Sequence, residues 1–103
     1  MLFKPEHVEP ILNGTKTATR RCWKKVMVKI GGVYKCKTEM FSKKYFARIR
    51  VKRMYGQILW AMTKEDVIKE GYSTKTEFKK VWKRINGKWE KNKIVWVVEF
   101  EKV

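Results

Sequence analysis

This chain is poor in the residues on which most small enzymes and metal modules rely. Among 103 residues there is one histidine, His7, and there are two cysteines, Cys22 and Cys36, which form no Cys-x-x-Cys unit. Zinc takes four N/S ligands in a structural site, or three and a water in a catalytic one. Two cysteines, one histidine and scattered carboxylates supply no such set, so no metal and no cofactor is expected. One histidine also denies the chain an acid–base pair of the histidine kind. The thiols are read as free and half-buried, a disulfide being unusual in a reducing compartment. No apolar run is long enough to span a bilayer, and no basic amphipathic helix has a clean apolar face. Met1-Leu2-Phe3 meets Lys4-Pro5 too early for the apolar core of a signal peptide. A cytoplasmic location without membrane association is the expectation. Repeats, low-complexity tracts and linkers are absent too, and the length suits one domain, residues 1–103.

Negative charge is the other shortage. Ten Asp+Glu stand against 26 Lys+Arg, for a formal net charge of +16 and a pI of about 10.1. Self-repulsion on that scale destabilises a compact state. A polyanionic partner offsets it, and nucleic acid is the commonest one. Hydrophobic residues at 44% and aromatics at 14% make the chain globular rather than disordered.

Periodicity predicts many strands and few helices. Pro5 suits a helix first turn, and Val8, Ile11 and Leu12 recur at helical spacing, with Pro10 keeping that helix short and Gly14 ending it. Residues 17–23 read as a strand, 24–30 as a second extended piece, Gly31-Gly32 as a turn and 33–38 as a strand. Over 45–55, Ala47, Ile49 and Val51 alternate with Arg48, Arg50 and Lys52, the period of a half-buried strand with a basic outer face. Thr63 with Asp66, and Thr74 with Glu77, are spaced to cap two helices, stopped by Gly71 and by Asn86-Gly87. Phe78, Val81, Trp82 and Ile85 share one helical face and are assigned to the core. Residues 94–100 are nearly all apolar, as in a strand buried on both faces.

The densest chemistry lies in Gly14-Thr15-Lys16-Thr17-Ala18-Thr19-Arg20-Arg21. Arginine offers a planar fork of donors, lysine a point charge and threonine a short hydroxyl, the groups that hold anions and polar ligand edges. On a strand Thr19 and Arg21 share a face. Lys16 joins them only if it lies in the turn that Gly14 permits. A P-loop is excluded, because the lysine does not directly follow the glycine and no glycine stands five residues earlier. Glu70-Gly71-Tyr72 and Glu77-Phe78 form a second cluster further on.

The order of these pieces resembles the ASCH domains, a branch of the PUA-like superfamily. They show an apolar helix (here Ile11-Leu12), a Gly-x-Lys-x-x-Thr-x-Arg turn and strand (Gly14 to Arg21), and a central strand (around Ile49). Glu-Gly-aromatic (Glu70 to Tyr72), a helix with Glu-Phe (Glu77-Phe78) and a last Val-x-Phe strand (Val98 to Phe100) follow. The resemblance implies an α+β fold, a PUA-like small mixed β-barrel with two or three short helices. Its cleft would be bounded by the Lys-Thr-Arg strand and the Glu-Gly helix. It implies RNA binding, single-stranded or structured. It also implies a candidate catalytic trio at Lys16, Thr19 and Glu70, because some members hydrolyse N4-acetylcytidine with residues at matching positions. A few members are described as ribonucleases.

The expectation is therefore an RNA-binding domain, monomeric, with binding residues Arg20, Arg21, Trp23, Lys24, Lys25, Arg48, Arg50, Lys52 and Tyr72. Trp23 is the first choice as a stacking platform and Tyr72 the second. The alternative is an N4-acetylcytidine amidohydrolase, in which Thr19 supplies a hydroxyl, Lys16 a neutral amine and Glu70 an acid, with Arg21 on the oxyanion or a phosphate. The roles within that trio are interchangeable at the level of sequence. A metal-independent ribonuclease is the third reading.

Overall fold

Alternation of apolar and charged side chains builds the sheet, and one inserted residue changes its phase. The computed structural model describes residues 1–103. Strands β1 (Ala18–Arg21), β2 (Val33–Cys36), β3 (Ala47–Ile58) and β4 (Ile94–Lys102) form one antiparallel sheet in the order β1-β4-β3-β2. Beyond β2 the chain start adds a parallel bridge between Leu2 and Lys37, where the Phe3 amide donates to the Lys37 carbonyl at 2.8 Å. The Arg21 guanidinium at the far edge lies 4.7 Å from the centre of the Phe3 ring. The sheet has thus curled until its two edges nearly meet, a half-barrel of the small mixed β-barrel type expected.

The interior of that curl holds Ala47 and Ile49 from β3 with Cys36, Phe100 and Phe3, sealed by Ile11 of α1 (Val8–Leu12). Val98 and Val51 continue it with Val28. The opposite face carries Val95 and is covered by α2 (Lys64–Lys69) and α3 (Lys75–Asn86), which bring Val67, Phe78 and Trp82. Val97 and Val98 are both fully buried, one on each face. The final strand is therefore enclosed on two sides at its centre, as its composition predicts, although Ile94 at its start is exposed.

Both helix caps form as the spacing predicts. The Thr63 hydroxyl accepts from the Asp66 amide while Asp66 accepts from the Thr63 amide, a complete capping box. Thr74 accepts from the Glu77 amide in the same way.

Two expectations need correction. Residues 24–30 form no strand: they make no ladder bonds, and only Val28 tucks inside against Val51 and Val98. The lysines at 24, 25 and 29 stay exposed, and Gly31 and Gly32 alone bond back to Val51. The central strand begins at Ala47 and runs past Tyr55 to Ile58, because β4 continues to pair through Gly56, opposite Trp96. The register shifts between Val51 and Arg53, so Lys52 is a bulge. Odd-numbered residues face the interior before it and the helices after it.

Gly71 ends α2 at φ +97°, and a side chain there would put its Cβ 3.3 Å from the Cβ of Lys16. Gly87 at φ +90° ends α3 with open space around it. An L-residue in this conformation costs roughly 1–2 kcal/mol. Denaturant titration should show Gly87→Ala losing about that much, and Gly71→Ala losing more because it also displaces Lys16; equal losses would mean the Lys16 contact is soft.

Candidate functional site

A cleft of about 290 Å³ opens between β1, the chain start and α3. Its floor is Lys16, Thr19, Arg20, Arg21 and Glu70, and its walls are Phe3, His7 and Tyr72 on one side and Val81, Trp82 and Ile85 on the other. Lys16 reaches it from the turn that follows α1, where Gly14 has φ +82° and the Lys16 amide donates to the Pro10 carbonyl at 2.9 Å. The condition set by the sequence is met: turn and strand converge.

Glu70, the C-terminal cap of α2, holds the floor together. One carboxylate oxygen accepts from Lys16 Nζ at 3.0 Å and the other from Arg20 Nη1 at 2.8 Å. Lys16, 2% exposed, also donates to the carbonyls of Ala18 at 2.9 Å and Glu70 at 3.1 Å. An ammonium has three donors, and all three are engaged. Burial pulls the Lys16 pKa below its ordinary value, and the facing Glu70 carboxylate partly restores it. Arg20 grips the Gln57 side-chain oxygen through Nε at 3.1 Å and Nη2 at 2.8 Å. Gln57 in turn donates to Asp66 at 3.2 Å. No buried side-chain polar atom is left without a partner.

Gln57 is a site residue that pattern reading missed. It faces Arg20 only because the bulge at Lys52 reverses the phase of β3; in unbroken alternation it would point to the interior with Val51. Nothing in the local sequence announces that insertion.

Thr19 and Arg21 share a face, as expected of a strand, and Arg21 Nε donates to Thr19 Oγ1 at 3.1 Å. The terminal Arg21 nitrogens and the Thr19 hydroxyl proton are not given to any protein acceptor. They are unspent donors on the cleft floor. Burial lowers the pKa of Arg21, although Glu70 opposes the shift, and its charge is retained at any ordinary pH.

His7 is a second residue absent from the expected site. Its Nε2 sits 2.8 Å from the Tyr72 hydroxyl. Burial, and then the Lys16 charge, push its pKa down to about 4, so the ring is neutral at pH 7. Tyr72 is pushed up to about 12, by burial first and then by Glu6. The pair is a neutral hydrogen-bonded wall. Its only sequence signal is Pro5, which starts the 3₁₀ turn Pro5–His7. Cys22 and Asn86 stand at the rim, 3.9 Å apart between Sγ and Oδ1. Both thiols are free, but neither is half-buried: Cys22 is exposed and Cys36 is fully enclosed.

The remaining expectations divide. Tyr72 lines the cleft. Arg20, expected on a basic binding surface, is 5% exposed and committed to the buried network, because Glu70 and Gln57 together outcompete water for its fork. Trp23 is half-buried against Val28, Val51 and Val98 and does not line the cleft. Lys24, Lys25, Arg48, Arg50 and Lys52 are exposed, outside the cleft. Of the α3 stripe assigned to the core, only Phe78 and Trp82 are buried there; Val81 is half-buried and Ile85 exposed, and both line a cleft wall with Trp82.

No protein-family model matches the chain, and no curated protein matches it. Solved structures do. An ASCH domain from Lactobacillus crispatus JV V101 superposes with a TM-score of 0.74 at 11% identity, over 92% of this chain and 69% of that one. Hypothetical protein PH0355 gives 0.75 at 21% identity, over 100% of this chain and 96% of that one. A point mutant of ZmASCH from Zymomonas mobilis gives 0.68 at 10% identity, over 98% of this chain and 66% of that one. The fold is that of the ASCH domains, and the half-barrel is PUA-like in form.

Removing one member of a buried ion pair typically costs about 3–5 kcal/mol. Glu70→Ala should lose on that order by urea denaturation, and the double variant Lys16→Met/Glu70→Ala less than the sum. Strict additivity would deny the coupling. The neutral His7 adds a pH signature. Its folded pKa of about 4 lies below its unfolded value of 6.5, so stability present above pH 6.5 is lost as the pH falls toward 4. His7→Gln should flatten the stability curve in that window relative to the parent; unchanged curvature would mean that the ring titrates normally.

Proposed function

We propose that this protein is an RNA-binding domain of ASCH type that takes one unstacked base or nucleotide into the cleft. The observation that carries this reading is the chemistry left over on the cleft floor. Lys16, Arg20 and Glu70 spend their hydrogen bonds on one another, while Arg21 and Thr19 keep donors free. Free donors beside a bound cation select an acceptor edge or an anion, such as a pyrimidine carbonyl or a phosphate oxygen. The walls supply ring and aliphatic surface, and the volume lies near the small end of ligand sites. The +16 charge, mostly outside the cleft, suits a polymer rather than a free nucleoside.

The second reading is amidohydrolysis of N4-acetylcytidine, free or in RNA. One observation favours it: Lys16, Thr19 and Glu70 line the same cleft, and burial moves Lys16 toward the neutral amine that a base must be. In that chemistry the Thr19 oxygen attacks the acetyl carbonyl as its proton passes to Lys16. The C–N bond breaks with a proton delivered to the departing nitrogen, and water then cleaves the acetyl ester to acetate. Lys16 would first have to release one of its three present acceptors. For that reason binding is placed ahead of turnover.

Single-stranded RNA should bind with an affinity that falls with salt, at a log–log slope of roughly −0.7 per phosphate contacted. Arg21→Met should weaken it, and Thr19→Val should do so by a few-fold. Mass spectrometry of N4-acetylcytidine and of an acetylated RNA separates the readings. Deacetylation lost in Thr19→Val, with RNA affinity nearly kept, would make the protein an enzyme; salt-independent or undetectable RNA binding would remove the first reading.

A further inference from the structure

The loop between β2 and β3 carries the most exposed large apolar side chain of the molecule. Phe41 is 96% exposed and packs on nothing, next to Met40, which is also exposed. Its φ of +65° is a left-handed conformation that a phenylalanine rarely adopts. The loop that presents it is tied. Lys37 Nζ donates to the Ser42 carbonyl at 2.6 Å, and the Lys44 amide donates to Ser42 Oγ at 3.1 Å. The same loop borders a second, shallower depression of about 390 Å³, whose lining includes Thr38, Glu39, Lys44 and Tyr45. Thr38 also lines the cleft. The two hollows are therefore neighbours across one residue.

The charge around this loop is lopsided. Residues 35–45 contain four lysines, Lys35, Lys37, Lys43 and Lys44, against the single carboxylate of Glu39. Tyr45 is exposed, with Lys35 Nζ 5.0 Å from its ring centre. Aromatic faces interleaved with cations are the parts of a single-strand platform: rings stack on bases while lysines follow the phosphates.

We infer that the 38–45 loop is a second nucleotide subsite, at which the base next to the one in the cleft stacks on Phe41 while Lys44 and its neighbours hold the linking phosphates. The inference rests on the RNA reading of the cleft and extends it from one nucleotide to a strand with a defined exit. It makes Phe41 a specificity determinant for polymer over monomer.

The test titrates the 103-residue protein with a single-stranded octanucleotide carrying a fluorescent purine analogue, and separately with a mononucleotide. Phe41 has no packing partner, so Phe41→Ala should leave folding intact, which circular dichroism checks. The expected result is octanucleotide binding weakened by roughly 5- to 100-fold. The salt slope and the mononucleotide affinity should stay unchanged, and Phe41→Trp should restore binding. If the parent binds the octanucleotide and Phe41→Ala binds it equally well, the subsite is wrong and the cleft reading stands. If the parent binds no RNA, the cleft reading falls and the subsite with it. Binding to phosphatidylserine vesicles that Phe41→Ala abolishes, with RNA affinity unaffected, would assign the loop to a membrane surface and overturn the proposal.

Discussion

A single carboxylate decides how this molecule is organised around its cleft. Glu70 ends one helix, meets the lysine of the turn before β1 and the arginine within β1, and through that arginine reaches the glutamine of β3. Isolated buried charge is prohibitively costly, so two cations can lie beneath this surface only if something negative faces both. The helix end, the Gly14 turn and two strands are thereby tied to one another by this polar network as well as by the apolar packing of α2. Gly71 is part of the same arrangement, because its positive φ suits glycine and a Cβ there would press on the Lys16 side chain at 3.3 Å.

The network also separates structural cations from available ones. Lys16 and Arg20 are fully committed, and Arg21, one position further, is not. A run of adjacent basic residues thus contains members with opposite roles, set by which face of the strand each occupies. Thr19 pairs across the sheet with Val98 on the interior face, and Arg20 with Val97 on the helix face. The neutral His7–Tyr72 wall keeps further charge out of the cleft at pH 7.

Much of this was legible from residue order. The caps at Thr63 and Thr74, the burial of Ala47, Ile49 and Val51, and the meeting of Lys16, Thr19, Arg21 and Glu70 follow from short-range rules and from the resemblance in motif order. What escaped depends on long-range pairing. Residues 24–30 have strand-like composition but join neither edge of the sheet, and their only buried side chain is Val28. Gln57 faces Arg20 because of a bulge that is defined only by the partner strand. Arg20 and Trp23 were assigned to the surface because local sequence reports charge and size, not which side of a curled sheet is covered. His7 reads as an isolated residue until the chain start folds back beside α3.

Ion pairs and hydrogen bonds hold the cleft floor, and packed side chains hold its walls. A preformed hollow loses little disorder when something enters it. The exposed lysines, by contrast, act at a distance and through the solvent. The two features therefore govern different parts of a binding event. On the proposed RNA reading, the charge of the surface would set how often an anionic strand is captured, and the shape of the cleft how long it stays.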